Sequence, residues 1–146
     1  MMQIKKIKPR FDKLYWWIFF PTEILMLSVL TVGAIFEPNT LFFTVPTTAF
    51  VTYFLITPFF GYAELREETL FIKYGLILKK EIPYKKIRKI ERKRSFISES
   101  MMSLKCALWH VEIRYNTFDV TTVSVKDEDA FIEELEAQRA AAFEQI

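Results

Sequence analysis

Hydrophobic residues along this chain change their rhythm once, near residue 61. Before that point they run almost without interruption. Residues 14–36 (LYWWIFFPTEILMLSVLTVGAIF) and 41–60 (LFFTVPTTAFVTYFLITPFF) contain a single charged side chain, Glu23. A bilayer core about 30 Å thick takes roughly 20 helical residues to cross, and both runs reach that length. The pattern predicts a two-helix transmembrane hairpin over residues 14–61, preceded by a short segment at 1–13 and followed by a soluble domain at 62–146.

From Tyr62 onward apolar and polar residues alternate, the period of a strand with one buried face. Residues 62–65 lead to a polar turn at 66–69. Leu70, Ile72 and Tyr74 then share one strand face. Gly75 is the only glycine after residue 61, and it predicts a reversal or bulge between that strand and a second one at 76–82. Pro83 ends the second strand, and residues 84–87 fit one tight turn. Residues 89–96 alternate again, with Ile90 and Phe96 on one face. Residues 95–103, rich in Ser and Met, read as a loop. Residues 104–115 form the longest strand candidate, followed by a turn at 116–119 and a β-branched strand at 120–125. From Asp127 the pattern becomes helical. Asp127 is an N-cap with Glu128 and Asp129 in the first turn, where carboxylates favour the unpaired amides. Phe131, Leu135, Ala142 and Ile146 form the apolar stripe. About six short antiparallel strands and one C-terminal helix predict a small bent sheet or open barrel, closed at one end by the helix.

Charge orients the hairpin. Lys5, Lys6, Lys8, Arg10 and Lys13 against Asp12 give residues 1–13 a net charge of +4, whereas the connection Glu37-Pro38-Asn39-Thr40 has one acid and no base. Lys and Arg are retained on the cytoplasmic side. Both termini are therefore expected in the cytoplasm and the protein in the cell membrane. Tyr15, Trp16 and Trp17 suit the headgroup level. A cleaved signal peptide would need a shorter apolar run, and here a second span follows at once. Glu23 has two readings. In the first, it lies about 9 Å beyond Trp17 along a helix and belongs to the first turn of a helix that starts near Pro21. Alternatively it makes an intramembrane polar contact, with Thr47, Thr48 or Thr52 of the second helix or with another copy. Pro46 is expected in the first turn of the second helix and Pro58 at its exit.

The soluble part is electrically divided. Residues 79–94 hold Lys79, Lys80, Lys85, Lys86, Arg88, Lys89, Arg92, Lys93 and Arg94 against Glu81 and Glu91, a net of +7, while residues 126–146 carry −5. Beside an anionic leaflet each well-placed cation is worth about 1 kcal/mol, so these nine are the candidate contacts to anionic lipid headgroups. The same stretch also fits a solvated strand face or the docking surface of an acidic protein. Nucleic acid is not expected, because no aromatic stacking pattern accompanies the charges. Cys106 and His110 stand alone in strand-like surroundings and read as structural. The sequence contains no GxSxG, GxxxxGK[ST], HExxH or CxxC. No catalysis, cofactor or metal is expected.

Several of these segments, taken in order, resemble a known family. They are Leu70-Phe71-Ile72-Lys73-Tyr74-Gly75-Leu76, then Ile82-Pro83-Tyr84-Lys85-Lys86-Ile87, Ile90-Glu91, Val111-Glu112-Ile113-Arg114-Tyr115, and the helix from Asp127 to Leu135, all behind two spans. The order is similar to that of the bacterial pleckstrin-homology-like (PH-like) membrane proteins of the YyaB-like type. The resemblance covers residues 62 to about 138. It implies a seven-stranded, strongly bent antiparallel sheet capped by a C-terminal helix, with no enzymatic activity and no defined ligand. Many relatives carry a Ser-Leu-Asp-Arg-like stretch where this chain has Ala107-Leu108-Trp109-His110, so no role of that stretch transfers.

The expectation is a membrane helical hairpin plus an α+β PH-like domain. It would act as a non-catalytic module presenting a protein-binding or anionic-lipid-binding surface at the cytoplasmic face. The alternatives are a small oligomeric channel or transport subunit built around Glu23, or an accessory subunit of a larger membrane assembly.

Overall fold

The computed structural model describes residues 5–96, 103–104 and 106–144. Its first element is a strand, β1 (Lys5–Ile7), within the segment read from sequence as a basic tail. Two helices follow, α1 (Lys13–Phe36) and α2 (Leu41–Ile56), the second flanked by 3-10 turns at Pro38–Thr40 and Thr57–Phe60.

Asp12 starts α1, its side chain accepting the Lys13 amide at 3.2 Å. The helix then continues through Pro21. The expected start near Pro21 is therefore wrong, and Glu23 lies in the body of the helix. Proline removes one amide donor, and in apolar surroundings an unbroken helix keeps the remaining backbone groups paired. Pro46 likewise falls inside α2, as its sixth residue, rather than in the first turn. Both helical stretches, Lys13–Phe36 and Pro38–Phe60, are long and apolar enough to cross a membrane. They bury almost none of that surface in the protein. Ile24, Phe42 and Phe50 are each more than 60% exposed, unlike the side chains of a soluble protein's core helix. The hydroxyls of Ser28, Thr31 and Thr47 donate to the carbonyl four residues back, which keeps them satisfied without water.

The remaining strands are β2 (Tyr62–Leu65), β3 (Thr69–Lys73), β4 (Lys79–Pro83), β5 (Ile87–Arg94), β6 (Ser103–Leu104), β7 (Trp109–Tyr115) and β8 (Asp119–Val123), and the chain closes with α3 (Glu128–Glu144). They form two four-stranded sheets, ordered β1-β2-β3-β4 and β5-β7-β8-β6. All pairings are antiparallel except β6 with β8. Among the described residues seven strands follow the hairpin, the number the family resemblance implies; β1 adds an eighth by pairing Lys5 with Leu65 and Ile7 with Ala63.

Two strand expectations need correction. The long candidate over 104–115 is split, because residues 106–108 bond elsewhere. The Cys106 carbonyl accepts the Asp12 amide at 3.0 Å, and the Cys106 amide reaches Ser124 Oγ at 3.2 Å. The strand expected from Leu76 begins only at Lys79, since the Tyr74 amide closes a loop onto the Leu78 carbonyl at 2.8 Å. The loop expected at 95–103 lies mostly outside the described residues, as does Ile146.

Between the sheets Leu70, Ile72, Ile82, Tyr84, Ile87, Val111, Ile113 and Val123 are all 0–1% exposed. Transfer of such side chains from water contributes roughly 1.5–3 kcal/mol each. Phe131 and Leu135 bring α3 onto this core. Asp127 accepts the Ala130 amide at 3.2 Å, which caps the helix.

Candidate functional site

The first sheet has one end beside the hairpin and one end away from it. Tyr62 follows the last turn of the second helix and pairs with Lys73, which pairs with Lys79. These residues mark the near end. Leu65, Thr69 and Pro83 mark the far end, about 14 Å along the strands.

Two glycines make the near end possible. At Gly61 a Cβ would overlap Leu104 and lie 2.9 Å from the Lys73 carbonyl. At Gly75 a Cβ would overlap the Thr57 side chain, and its φ of +152° lies in a region that L-residues rarely enter. The β3–β4 loop therefore rests directly on the exit of the second helix. In the second sheet, Arg94 pairs with Trp109 and the Ser95 amide bonds to Leu108. Leu108 in turn donates to Asp12 at the cap of α1. That end is also near the hairpin, and an apolar hollow between it and α1 is lined by Leu14, Ile18, Phe96 and Leu108. A ring cluster of Phe11, Tyr15, Trp16, Phe19 and Phe59 joins the two helices there, with Phe11 stacked on Phe59 at 4.5 Å. The Tyr15 hydroxyl also donates to the Leu55 carbonyl.

This geometry divides the nine cations of residues 79–94. Lys79 and Arg94 lie at the near end. Lys85 and Lys86 follow Pro83 at the far end, where Lys85 shares a hollow with Glu67 and Glu68. The Asn116 amide bonds to the Lys86 carbonyl, and Arg88 reaches the Thr117 carbonyl at 3.4 Å. The remaining four are engaged inside the domain. Lys80 lies over the Tyr115 ring at 4.8 Å, and Lys89 pairs with Glu91. Arg92 pairs with buried Glu128 and with Asp129, and stacks on Trp109 at 4.7 Å. Lys93 pairs with buried Glu112 at 2.8 Å, which Arg114 also holds at 2.9 Å. Burial works against the Glu112 carboxylate, but those two cations outweigh it and lower its pKa below the usual value. The nine are thus not one surface.

A different set gathers at the near end. Lys6 lies 3.9 Å and Lys73 5.9 Å from the centroid of the Tyr62 ring. Lys8 and Arg10 are exposed on the short connection from β1 to α1, Lys13 is exposed as the first residue of α1, and Lys79 stands across from Lys73. Lys126 faces Lys6, Lys8 and Arg10 around an open hollow that also includes Phe11. Of the acids nearby, Asp12 is occupied as a helix cap, and Glu64, opposite Lys6, is held by Arg66 at 2.9 Å. Sequence reasoning counted the N-terminal cations for orientation alone. Only the pairing of β1 with β2, 58 residues apart at Lys6 and Glu64, could bring them to Lys73, and no local signal announces it.

Glu23 accepts a hydrogen bond from Thr52 at 3.2 Å, across the two helices, while its second oxygen is enclosed without a partner. Cys106 is buried, and burial raises its thiol pKa to about 12, so it is inert at neutral pH. The buried His110 ring bonds to the Leu108 carbonyl at 3.1 Å. Among the described residues no group of three or more His, Cys, Asp or Glu side chains is placed to hold a metal.

The two packed sheets closed by a C-terminal helix have a counterpart among known families. The Bacterial PH domain family matches residues 62–139, more than half of the chain. The chain belongs to that family. The match begins at β2 and ends within α3, so β1 and the hairpin lie outside it. No curated protein and no solved structure matches the chain at a significant level.

Proposed function

We propose that this bacterial PH domain is a non-catalytic module anchored in the cell membrane, whose near end rests on anionic headgroups of the cytoplasmic leaflet. The observation behind this reading is the cationic collar. Lys6, Lys8, Arg10, Lys13, Lys73 and Lys79 surround the exit of two helices that are long enough to span a bilayer. At about 1 kcal/mol per cation near an anionic surface, three or four contacts suffice to fix the domain's orientation. The positive charge of residues 1–13 and the acidic 37–40 connection favour the cytoplasmic side. A channel built on Glu23 has less behind it, since that carboxylate bonds to Thr52 inside its own hairpin.

The test is lipid enrichment around the full chain in nanodiscs of mixed phosphatidylcholine and phosphatidylglycerol. Wild type should concentrate phosphatidylglycerol severalfold in its first lipid shell. Replacing Lys6, Lys8, Lys73 and Lys79 by Gln should remove the enrichment, whereas Gln at Lys85, Lys86 and Arg88 should leave it. Equal behaviour of the two variants would overturn the collar and favour a protein partner for the domain.

A further inference from the structure

We infer that the loop at the tip of the β3–β4 hairpin inserts into the acyl–headgroup boundary of the bilayer beside the second helix, a proposal that rests on the membrane-anchored reading above. Leu76, Ile77 and Leu78 are three consecutive branched aliphatic residues, 49%, 76% and 56% exposed. A strand-connecting loop in water normally carries polar residues, and these three stand exposed among the described residues.

Their place in the fold identifies what does. Gly75 packs against Thr57 at the end of the second helix. The tip therefore lies level with the point where the chain leaves the hairpin, next to exposed Phe59 and Phe60. A partner protein at this spot would have to share it with lipid around the helices. The charges agree. Between Glu68 and Glu81 the chain has no acid, and Lys73 and Lys79 face each other across the base of the loop. An apolar tip with a cationic base is the chemistry of an interfacial segment: the side chains enter the boundary while the ammonium groups remain among phosphates. The loop is also held in shape beforehand. The Tyr74 amide bonds to the Leu78 carbonyl at 2.8 Å, and the buried Tyr74 hydroxyl meets Thr121 Oγ1 at 2.5 Å. Insertion then requires little ordering of the chain.

The experiment uses the full chain with Cys106→Ala, reconstituted in vesicles of phosphatidylcholine and phosphatidylglycerol. An environment-sensitive fluorophore is attached at Ile77→Cys, and separately at Leu76→Cys, Glu67→Cys and Phe50→Cys. Positions 76, 77, 67 and 50 are exposed, so labelling leaves the core alone. Nitroxide lipids labelled high on the acyl chain should quench the probes at 76 and 77 severalfold more than the probe at 67, and iodide in the water should do the reverse. If position 50 is quenched by lipid while 76 and 77 respond like 67, insertion is wrong and the anchor stands. If position 50 is not quenched either, the anchor and the insertion fall together.

Discussion

The two ends of the first sheet are built from the same four strands but present different chemistry. The near end carries Lys73, Lys79 and the neighbouring N-terminal cations around an apolar loop. The far end mixes signs: Glu67 and Glu68 stand with Lys85 beside the C-terminal part of α3, with Lys86 next in the chain, and residues 126–146 carry a net charge of −5. A strand only about 14 Å long thus separates a cationic and apolar surface from one where acids and bases are mixed. On the proposed membrane-anchored reading, this asymmetry would orient the domain. Charge counted along the sequence misses this, because antiparallel strands return successive cations to opposite ends.

The largest effect should come from detaching the far-end closure. Leu135 is fully buried where α3 meets the core, and Leu135→Ala should cost about 2–5 kcal/mol of stability in detergent-based denaturant unfolding. The near-end collar should still enrich anionic lipid in whatever fraction remains folded.

Next comes the joint between the loop and the hairpin. Gly75→Val places a branched side chain onto Thr57 at a positive φ, and should cost about 1–3 kcal/mol. Its distinctive readout is the Ile77 probe, which should shift towards water. Gly33→Ala is the comparison. There the added Cβ meets only the Thr40 hydroxyl at 2.8 Å and the end of Leu41, so a smaller loss is expected.

Acid should weaken the sheet through Glu112. Its folded pKa is lowered by Lys93 and Arg114 despite burial. It therefore contributes stability that is present above the unfolded value, about 4.3, and is lost as pH falls through the folded one. Wild type should lose stability below about pH 4 more steeply than Glu112→Gln, as measured by thermal unfolding across that range. At the other extreme, burial raises the Tyr74 and Tyr84 pKa values to about 12. Their contribution is present below the unfolded value near 10 and is lost as pH rises from there through about 12. Tyr84→Phe should flatten part of that alkaline loss.

The smallest effect belongs to the far-end charges. Glu67→Gln and Lys85→Gln sit at an exposed turn, and each should change stability by less than about 0.5 kcal/mol.

Much of the architecture is legible in the residues because it depends on local pattern. Continuous apolar runs mark the helices, the alternation of Leu70, Ile72 and Tyr74 marks a strand, and Asp127 marks the start of α3. The misreadings have non-local causes. β1 is three residues long, too short to show a period, and it exists only because β2 offers an edge. Leu76, Ile77 and Leu78 looked like strand because an apolar loop and a buried strand read alike; the contact of Gly75 with Thr57 decides between them. The cation surface could not be read either. Whether Arg92 and Lys93 are available depends on Glu128 and Glu112, which distant parts of the chain deliver. Pro21 suits a helix start, but the cap at Asp12 begins α1 at Lys13 and the helix runs through the proline.

The central claim is that the near end of the sheet lies on the membrane and the far end in water. Nitroxide labels at Lys79→Cys and Lys85→Cys in the reconstituted full chain, with their depths read by power saturation against oxygen and a water-soluble nickel chelate, address it directly. The account predicts position 79 at headgroup depth and position 85 in bulk water. Equal exposure of both to the chelate, or position 85 lying deeper, would contradict it.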